Sequence, residues 1–403
     1  MRRLLQLTLI AGALCAALPV GAARGDAPWR DAASPETWVQ SAIPTTLATF
    51  PFDSEGLTVD PETSTLYVAE SPDSAGDCHV RAISMSGDVT AVGLVPRING
   101  AACGPRGLEF RDGALYIADQ GAGDLGWVFR MDPATGAASL FASGVPGANG
   151  IAFDSHAHLW ITDSLRGQGR VFRRHAVTGS VEEILRVPPV ANGTIYGGLL
   201  SLPSTSGIGR QIVHVPPGTQ PEVKQAANGV AVVGRGAAAT LYIADTARGA
   251  IWAAALDEHG DLVPGQTGCN ASLQADTLCD DAVFTQHPRL EGADGMWVDR
   301  DGSLWVAANS RQGIARVDRQ GRVTELFRNP LNAQLLRSSA DTPEGDTHIL
   351  EYPTNPVIVP AIGSPYGRRL CVTNSDRPGR DNWPGTVGEI GGPGRPKGKV
   401  SCF

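Results

Sequence analysis

The chain is predicted to be all-β, a six-bladed β-propeller, on three observations: a composition made for short strands, a sixfold internal repeat, and blade-sized spacing between the repeats. Gly occurs 49 times and Pro 29 times, charged residues make up 18%, and hydrophobic residues 42%. Such a mixture suits many strands joined by tight turns better than long helices. The 403 residues exceed the usual ~100 to 200 of one domain, but closed all-β architectures run longer as a single unit.

The repeat has two parts. The strings LYVAES, LYIADQ, LWITDS, LYIADT, LWVAAN and LCVTNS, starting at Leu66, Leu115, Leu159, Leu241, Leu304 and Leu370, each read as a strand ending in a polar turn signal. Upstream of each, a short apolar strand opens with a polar or charged residue: Glu55-Gly56, Arg106-Gly107, Asn149-Gly150, Asn228-Gly229, Asp294-Gly295 and, with Pro in place of Gly, Asn355-Pro356. Turn residues such as Asp60-Pro61 and Asp112-Gly113 lie between the two parts, so each unit starts with a β-hairpin.

Successive openings are 51, 43, 79, 66 and 61 residues apart, room for four short strands each. This irregularity, with no capping repeats, argues against a stacked solenoid. The stretch after Leu370 is too short to add a blade, and strands around Trp38 to Phe50 are expected to close the ring. The 79-residue third unit holds two further apolar runs, near Tyr196 to Leu202 and Gln211 to Val215, read as outer strands and an elaborated loop.

Residues 1–23 read as a secretory signal: Arg2 and Arg3 precede an apolar stretch from Leu4 to Val20, and Gly21-Ala22-Ala23 supplies small residues for cleavage. Residues 24–403 then form one propeller domain in the periplasm or outside the cell. The remaining cysteines, Cys78, Cys103, Cys269, Cys279, Cys371 and Cys402, suit disulfides, with Cys269 and Cys279 bracketing a short loop and Cys402 within reach of Cys371. Formal charge is −8, with no Lys/Arg cluster. That excludes the electrostatic footprint of a nucleic-acid binder, and no membrane association is expected once the signal is removed.

In a propeller the innermost strands line the axis, so the six openings converge there. Glu55 and Asp294 bring two negative charges, and Asn149 and Asn228 bring amide oxygens. This donor set suits one hard divalent cation, calcium best, because magnesium demands a tighter octahedron and zinc recruits His or Cys. Any one Asn-Gly or Asp-Gly is commonly a hairpin turn. Here, however, the dipeptides precede hairpins whose turns lie downstream.

The segments EGLTVDPETSTLYVAE, NGIAFDSHAHLWITDS, NGVAVVGRGAAATLYIADT and DGMWVDRDGSLWVAAN resemble the regucalcin and gluconolactonase (senescence marker protein) family, and more distantly paraoxonases and squid-type diisopropyl fluorophosphatase. The resemblance implies a six-bladed propeller whose calcium is held by a Glu on the first blade, Asn on the third and fourth, and Asp on the fifth. Those positions are Glu55, Asn149, Asn228 and Asp294. It implies hydrolysis of a lactone or related ester, the cation polarising the carbonyl and Asp294 orienting or activating water. Arg106 and Asn355 are the expected substrate-binding residues, with a salt bridge to Glu55 or to a loop acid as the alternative for Arg106. His287 and His348 are secondary acid/base candidates, and His156 and His158 belong to a turn at the opposite end.

Two other classes fit the same pattern: a noncatalytic ligand- or protein-binding propeller with a structural calcium, and a strictosidine-synthase-like lyase. The complete oxygen set favours the hydrolase. Gly121 to Gly126 matches the dinucleotide-binding expression but is followed by a strand, not a helix.

Overall fold

The computed structural model describes residues 43–121, 125–163, 168–188, 201–203, 210–212, 226–328, 350, 352–360, 368–375 and 398–403. The proposed signal segment and His348 lie outside these. The described residues form six four-stranded antiparallel sheets, the blades of a β-propeller.

After β1 (Thr45–Thr49), the first blade comprises β2 (Ser54–Val59), β3 (Leu66–Glu70), β4 (His79–Ile83) and β5 (Val89–Leu94). The second is β6 (Pro105–Arg111), β7 (Ala114–Asp119), β8 (Gly126–Met131) and β9 (Ala138–Val145). The third is β10 (Ala148–Phe153), β11 (Leu159–Asp163), β12 (Arg170–Arg174) and β13 (Val181–Arg186), followed by a separate two-stranded sheet of β14 (Ser201–Pro203) and β15 (Arg210–Ile212). The fourth is β16 (Val230–Val233), β17 (Thr240–Asp245), β18 (Ala250–Ala255) and β19 (Val283–Gln286). The fifth is β20 (Ala293–Val298), β21 (Leu304–Ala308), β22 (Gly313–Val317) and β23 (Val323–Arg328), and the sixth has β24 (Pro353–Val359), β25 (Arg369–Ser375) and β26 (Gly398–Cys402).

β1 supplies the sixth blade's outermost strand by pairing with β26. The ring thus closes with N-terminal residues, as expected. The apolar runs of the long third unit were expected to supply that blade's outer strands. Instead β12 and β13 do, and the runs contribute the small β14–β15 sheet, because residues 170–186 already supply two pairing-competent strands directly after β11.

Burial falls off from axis to rim. β2 and β3 are buried at every residue, whereas β5 is largely exposed. The repeat strands therefore read as continuous apolar runs, since each is covered on both faces by neighbouring blades. The cores lie in these interfaces. One, for example, joins Tyr67, Val80 and Cys78 of the first blade to Leu108, Ile117 and Trp127 of the second, and a comparable cluster fills each of the other five. Because every core lies between blades, the axis itself is left open.

Disulfides join Cys78–Cys103, Cys269–Cys279 and Cys371–Cys402, including both expected pairings. The last ties β25 to β26 next to the closing strand. The loop closed by Cys269–Cys279 covers the outer edge of the third blade, where Arg186 donates its backbone N–H to Asp276 and accepts from Leu278. Covering an edge strand in this way blunts its capacity to pair with another chain.

Candidate active site

In five of the six blades the innermost strand meets its partner through a β-bulge at the opening dipeptide: between Ser54 and Leu57, Pro105 and Leu108, Ala148 and Ile151, Ala293 and Met296, and Pro353 and Pro356; on the fourth, Asn228 and Gly229 precede a regularly paired β16. A bulge re-aims a side chain and increases local twist. Here it presents one polar side chain to the axis from each of those five blades. The glycine that follows has a separate cause. A Cβ built at Gly56 would fall on the carbonyl oxygen of Arg106, and one at Gly107 on that of Asn149. The pattern continues around the ring at Gly150, Gly229 and Gly295. The X-Gly signal is therefore a close approach between adjacent blades, not a turn.

This register corrects one equivalence. On the sixth blade Thr354 occupies the opening position, and Asn355 takes the place of the glycine. Asn355 still lines the channel, but its Nδ2 donates to the Leu57 carbonyl at 2.5 Å, bracing the first blade. Thr354 and Thr373 donate their hydroxyls to the carbonyl of Glu55 at 2.6 and 2.8 Å. This threonine pair makes the seam that glycine makes elsewhere.

Glu55, Arg106, Asn149, Asn228, Asp294, Thr354 and Asn355 line a single axial cavity of about 210 Å³. Glu55, Asn149, Asn228 and Asp294 are each at most 9% exposed. Asn149 donates its Nδ2 to Asn228 Oδ1 at 3.0 Å, and Asn228 donates to Thr246 Oγ1 at 3.0 Å. Asn309 donates to Asp294 Oδ2 at 2.9 Å. Arg106 donates through NH1 to Glu55 in a close ion pair, and through Nε to Gln120 Oε1 at 2.9 Å. Of the two readings for Arg106, the geometry realises the salt bridge, while its side chain remains part of the cavity wall.

Gln120, Thr246 and Asn309 are each the last letter of a repeat string, LYIADQ, LYIADT and LWVAAN. Sequence analysis reads those letters as turn signals. Their side chains instead orient the opening residues of the same blades, and their shared position in the repeat was the available clue. The preceding letter has a different use: Glu70, Asp119, Asp163 and Asp245 are fully buried. Asp119 accepts from the N–H groups of Gly104 and Gly121 at 2.8 and 2.7 Å, anchoring the loop that delivers Arg106. Arg81, Arg170 and Arg248 pair with the other three. Burial nevertheless raises the carboxyls of Glu70, Asp119 and Asp245 above the ordinary carboxylate range.

His287 lies outside the cavity wall and accepts at Nδ1 from the N–H of Arg289 at 3.0 Å. His156 and His158 sit in the β10–β11 turn, at the other end of the strand from Asn149. The donor set at the ring is all oxygen, with two carboxylates and two amides held in register by neighbours, and it fits a hard divalent cation. Among the described residues no cluster of three or more His, Cys, Asp or Glu suits a metal, as expected where half the donors are asparagines.

Residues 219–335 match the family model described as the SMP-30/Gluconolactonase/LRE-like region. The family resemblance read from the repeat is borne out. The matched stretch carries Asn228 and Asp294 together with the fourth and fifth blades. No curated protein matches the chain. Among solved structures, the calcium-binding protein regucalcin from Agrobacterium tumefaciens is similar, with TM-score 0.53 and 17% identity over 89% of this chain and 94% of that one. A gluconolactonase from Xanthomonas campestris aligns with TM-score 0.50 and 15% identity over 91% of each chain. At such identities the likeness establishes the fold.

Proposed function

We propose that the chain is an exported hydrolase of lactones or related esters, with one divalent cation, calcium by its donor chemistry, held by Glu55, Asn149, Asn228 and Asp294. The observation that carries this is the convergence of two carboxylates and two carboxamides from four blades on one cavity. The family match over residues 219–335 and the gluconolactonase likeness in fold support the reaction class, and three disulfides suit an oxidising compartment.

When bound, the cation supplies Lewis acidity toward the substrate carbonyl. The chain's own residues do the remainder. Asn309 holds Asp294 Oδ2 and so sets the rotamer from which Asp294 orients a water or takes its proton. Gln120 and Glu55 hold the Arg106 guanidinium against the cavity, where it donates to a substrate oxygen. Pairing with Arg106 also offsets the cost of keeping Glu55 ionised at the axis.

A noncatalytic reading has an observation in its favour, because Arg106–Glu55 and Asn149–Asn228 each bond across adjacent blades. Hydrolysis assays with lactones, aryl esters and phosphotriesters, in calcium and in chelator, separate the two. Turnover lost on chelation without unfolding supports the hydrolase. Absence of turnover on all three classes, with chelation lowering the melting temperature, selects the structural role.

A further inference from the structure

Asn228 is held by its main chain as well as by its side chain. Its backbone N–H donates to the Ala244 carbonyl at 2.9 Å, and its carbonyl accepts from the Thr162 hydroxyl of the third blade in a short bond. With the main chain fixed, the freedom that matters is a half-turn of the carboxamide, which exchanges Oδ1 and Nδ2 without changing the shape of the side chain. Packing cannot choose between the two. A cation takes the oxygen of a carboxamide and is repelled by its NH2 group, so this half-turn determines whether Asn228 serves as a ligand.

Thr246 makes the choice. Its hydroxyl proton goes to the Ala293 carbonyl at 2.6 Å, because a carbonyl can only accept. Toward Asn228, at 3.0 Å, Thr246 Oγ1 therefore has a lone pair to offer, and the Asn228 atom that faces it must be Nδ2. Oδ1 then lies on the other side of the amide, where it accepts from Asn149 Nδ2 at 3.0 Å. Asn149 shows its nitrogen to Asn228, so its own Oδ1 lies on the far side of that amide. With the polarity reversed, Asn228 Oδ1 and the Ala293 carbonyl would compete for one hydroxyl proton, and a buried bond would be lost. Thr246, Asn228 and Asn149 are at most 6% exposed and Ala293 is fully buried, so bulk water does not satisfy the reversed arrangement. A backbone carbonyl of the fifth blade, one residue before Asp294, thus sets the polarity of carboxamides on the fourth and third.

The second and fifth blades show why the fourth needs a hydroxyl at this place. Gln120 and Asn309, at the same position in their repeats, partner Arg106, which only donates, and Asp294, which as a carboxylate only accepts. An amide can turn to suit a partner of fixed polarity. Asn228 has no fixed polarity of its own and needs a partner that does. We propose that Thr246 is a positioning residue of the ring, fixing the oxygen faces of Asn228 and Asn149 through a proton pinned on the Ala293 carbonyl. This rests on the cation reading above and adds to it the residue that turns two neutral amides into oxygen donors.

The test has a metal-free arm and a calcium arm, each run on the wild type, Thr246→Ser and Thr246→Val, with Thr246→Ala in place of Thr246→Val if the latter does not fold. In the first, the side-chain amide signals of protein made with isotope-labelled asparagine are followed by NMR in chelator. The expected result is a shift of both the Asn228 and the Asn149 signals in Thr246→Val, with Thr246→Ser close to the wild type. An Asn149 signal that stays in place while that of Asn228 moves overturns the relay, since Thr246 is bonded to Asn149 only through Asn228. In the second arm, calcium affinity is measured by calorimetry. Thr246→Val should bind ~10- to 100-fold more weakly than the wild type and Thr246→Ser within ~2-fold of it. The loss should vanish when Thr246→Val is combined with Asn228→Asp, because a carboxylate offers oxygen on either side. Unchanged affinity in a folded Thr246→Val protein, or an equal loss in the Asn228→Asp background, overturns the role assigned to Thr246. Absence of calcium binding by the wild type overturns the cation reading and Thr246's service to it, and the metal-free arm then judges the relay alone.

Discussion

Two parts of the axial channel are built from the same strands and differ in how their polar groups are partnered. At the ring, every polar side chain is held by another: Arg106 by Glu55 and Gln120, Asn149 by Asn228, Asn228 by Thr246, Asp294 by Asn309. Three residues along the strand from Arg106, Glu109 lines the same cavity, half-buried and with no hydrogen bond or ion pair among the described residues. A networked site resists rearrangement and positions groups for chemistry, whereas an unpaired, partly desolvated carboxyl costs stability when it ionises. Removing a side chain should therefore be harmful at the ring and beneficial at Glu109.

The largest effect expected is on Asp294. Replacing it with Asn should lower kcat about 10³-fold, near 4 kcal/mol, with the fold intact by circular dichroism. Unchanged turnover with calcium still bound would remove Asp294 from the reaction. Next is the backbone seam of the ring. Gly107→Ala places a methyl on the Asn149 carbonyl and should destabilise by about 3 kcal/mol in denaturant titration. A change below ~0.5 kcal/mol would mean that the blades can part at no cost.

At Glu109 the sign reverses and depends on pH. The folded-state value of Glu109 is about 7 against an ordinary 4.5, so the folded protein binds the extra proton. Its stability is greatest below pH 4.5 and falls as pH rises to about 7. Glu109→Gln cannot titrate and should be more stable than the wild type by about 2 kcal/mol at pH 8, with the gap narrowing steadily toward pH 4. A gap that is constant with pH would show the carboxyl to be well solvated. The smallest effect is in the support layer. Asn309→Ala leaves Asp294 short of one hydrogen bond and should cost about 1 kcal/mol of transition-state stabilisation, roughly fivefold in kcat. A loss as deep as that of Asp294→Asn would make Asn309 a direct participant.

Much of this was legible in the chain itself. Repeated apolar strings announce strands covered on both faces, and six of them at blade-sized intervals announce the ring. The polar residues before the glycines stand out because a hairpin has no need of a second turn ahead of its first strand. What remained hidden depends on register. Asn355-Pro356 looks like another opening, yet the bulge between Pro353 and Pro356 gives that position to Thr354. Gln120, Thr246 and Asn309 look like turn residues until their blades are folded. Glu109 looks like one exposed charge on an amphipathic strand.

Sequence periodicity alone determined the fold class, the blade boundaries and the oxygen-rich character of the ring, because burial on two faces and close blade packing leave direct marks on residue choice. The tertiary structure alone decided which residues meet: the ion pair between Arg106 and Glu55, the strand β1 that closes the last blade, and the Thr354 hydroxyl on the Glu55 carbonyl. These contacts join residues 51, ~350 and 299 positions apart. The physical reason is that propeller closure, rather than any local preference, brings such distant positions to one axis.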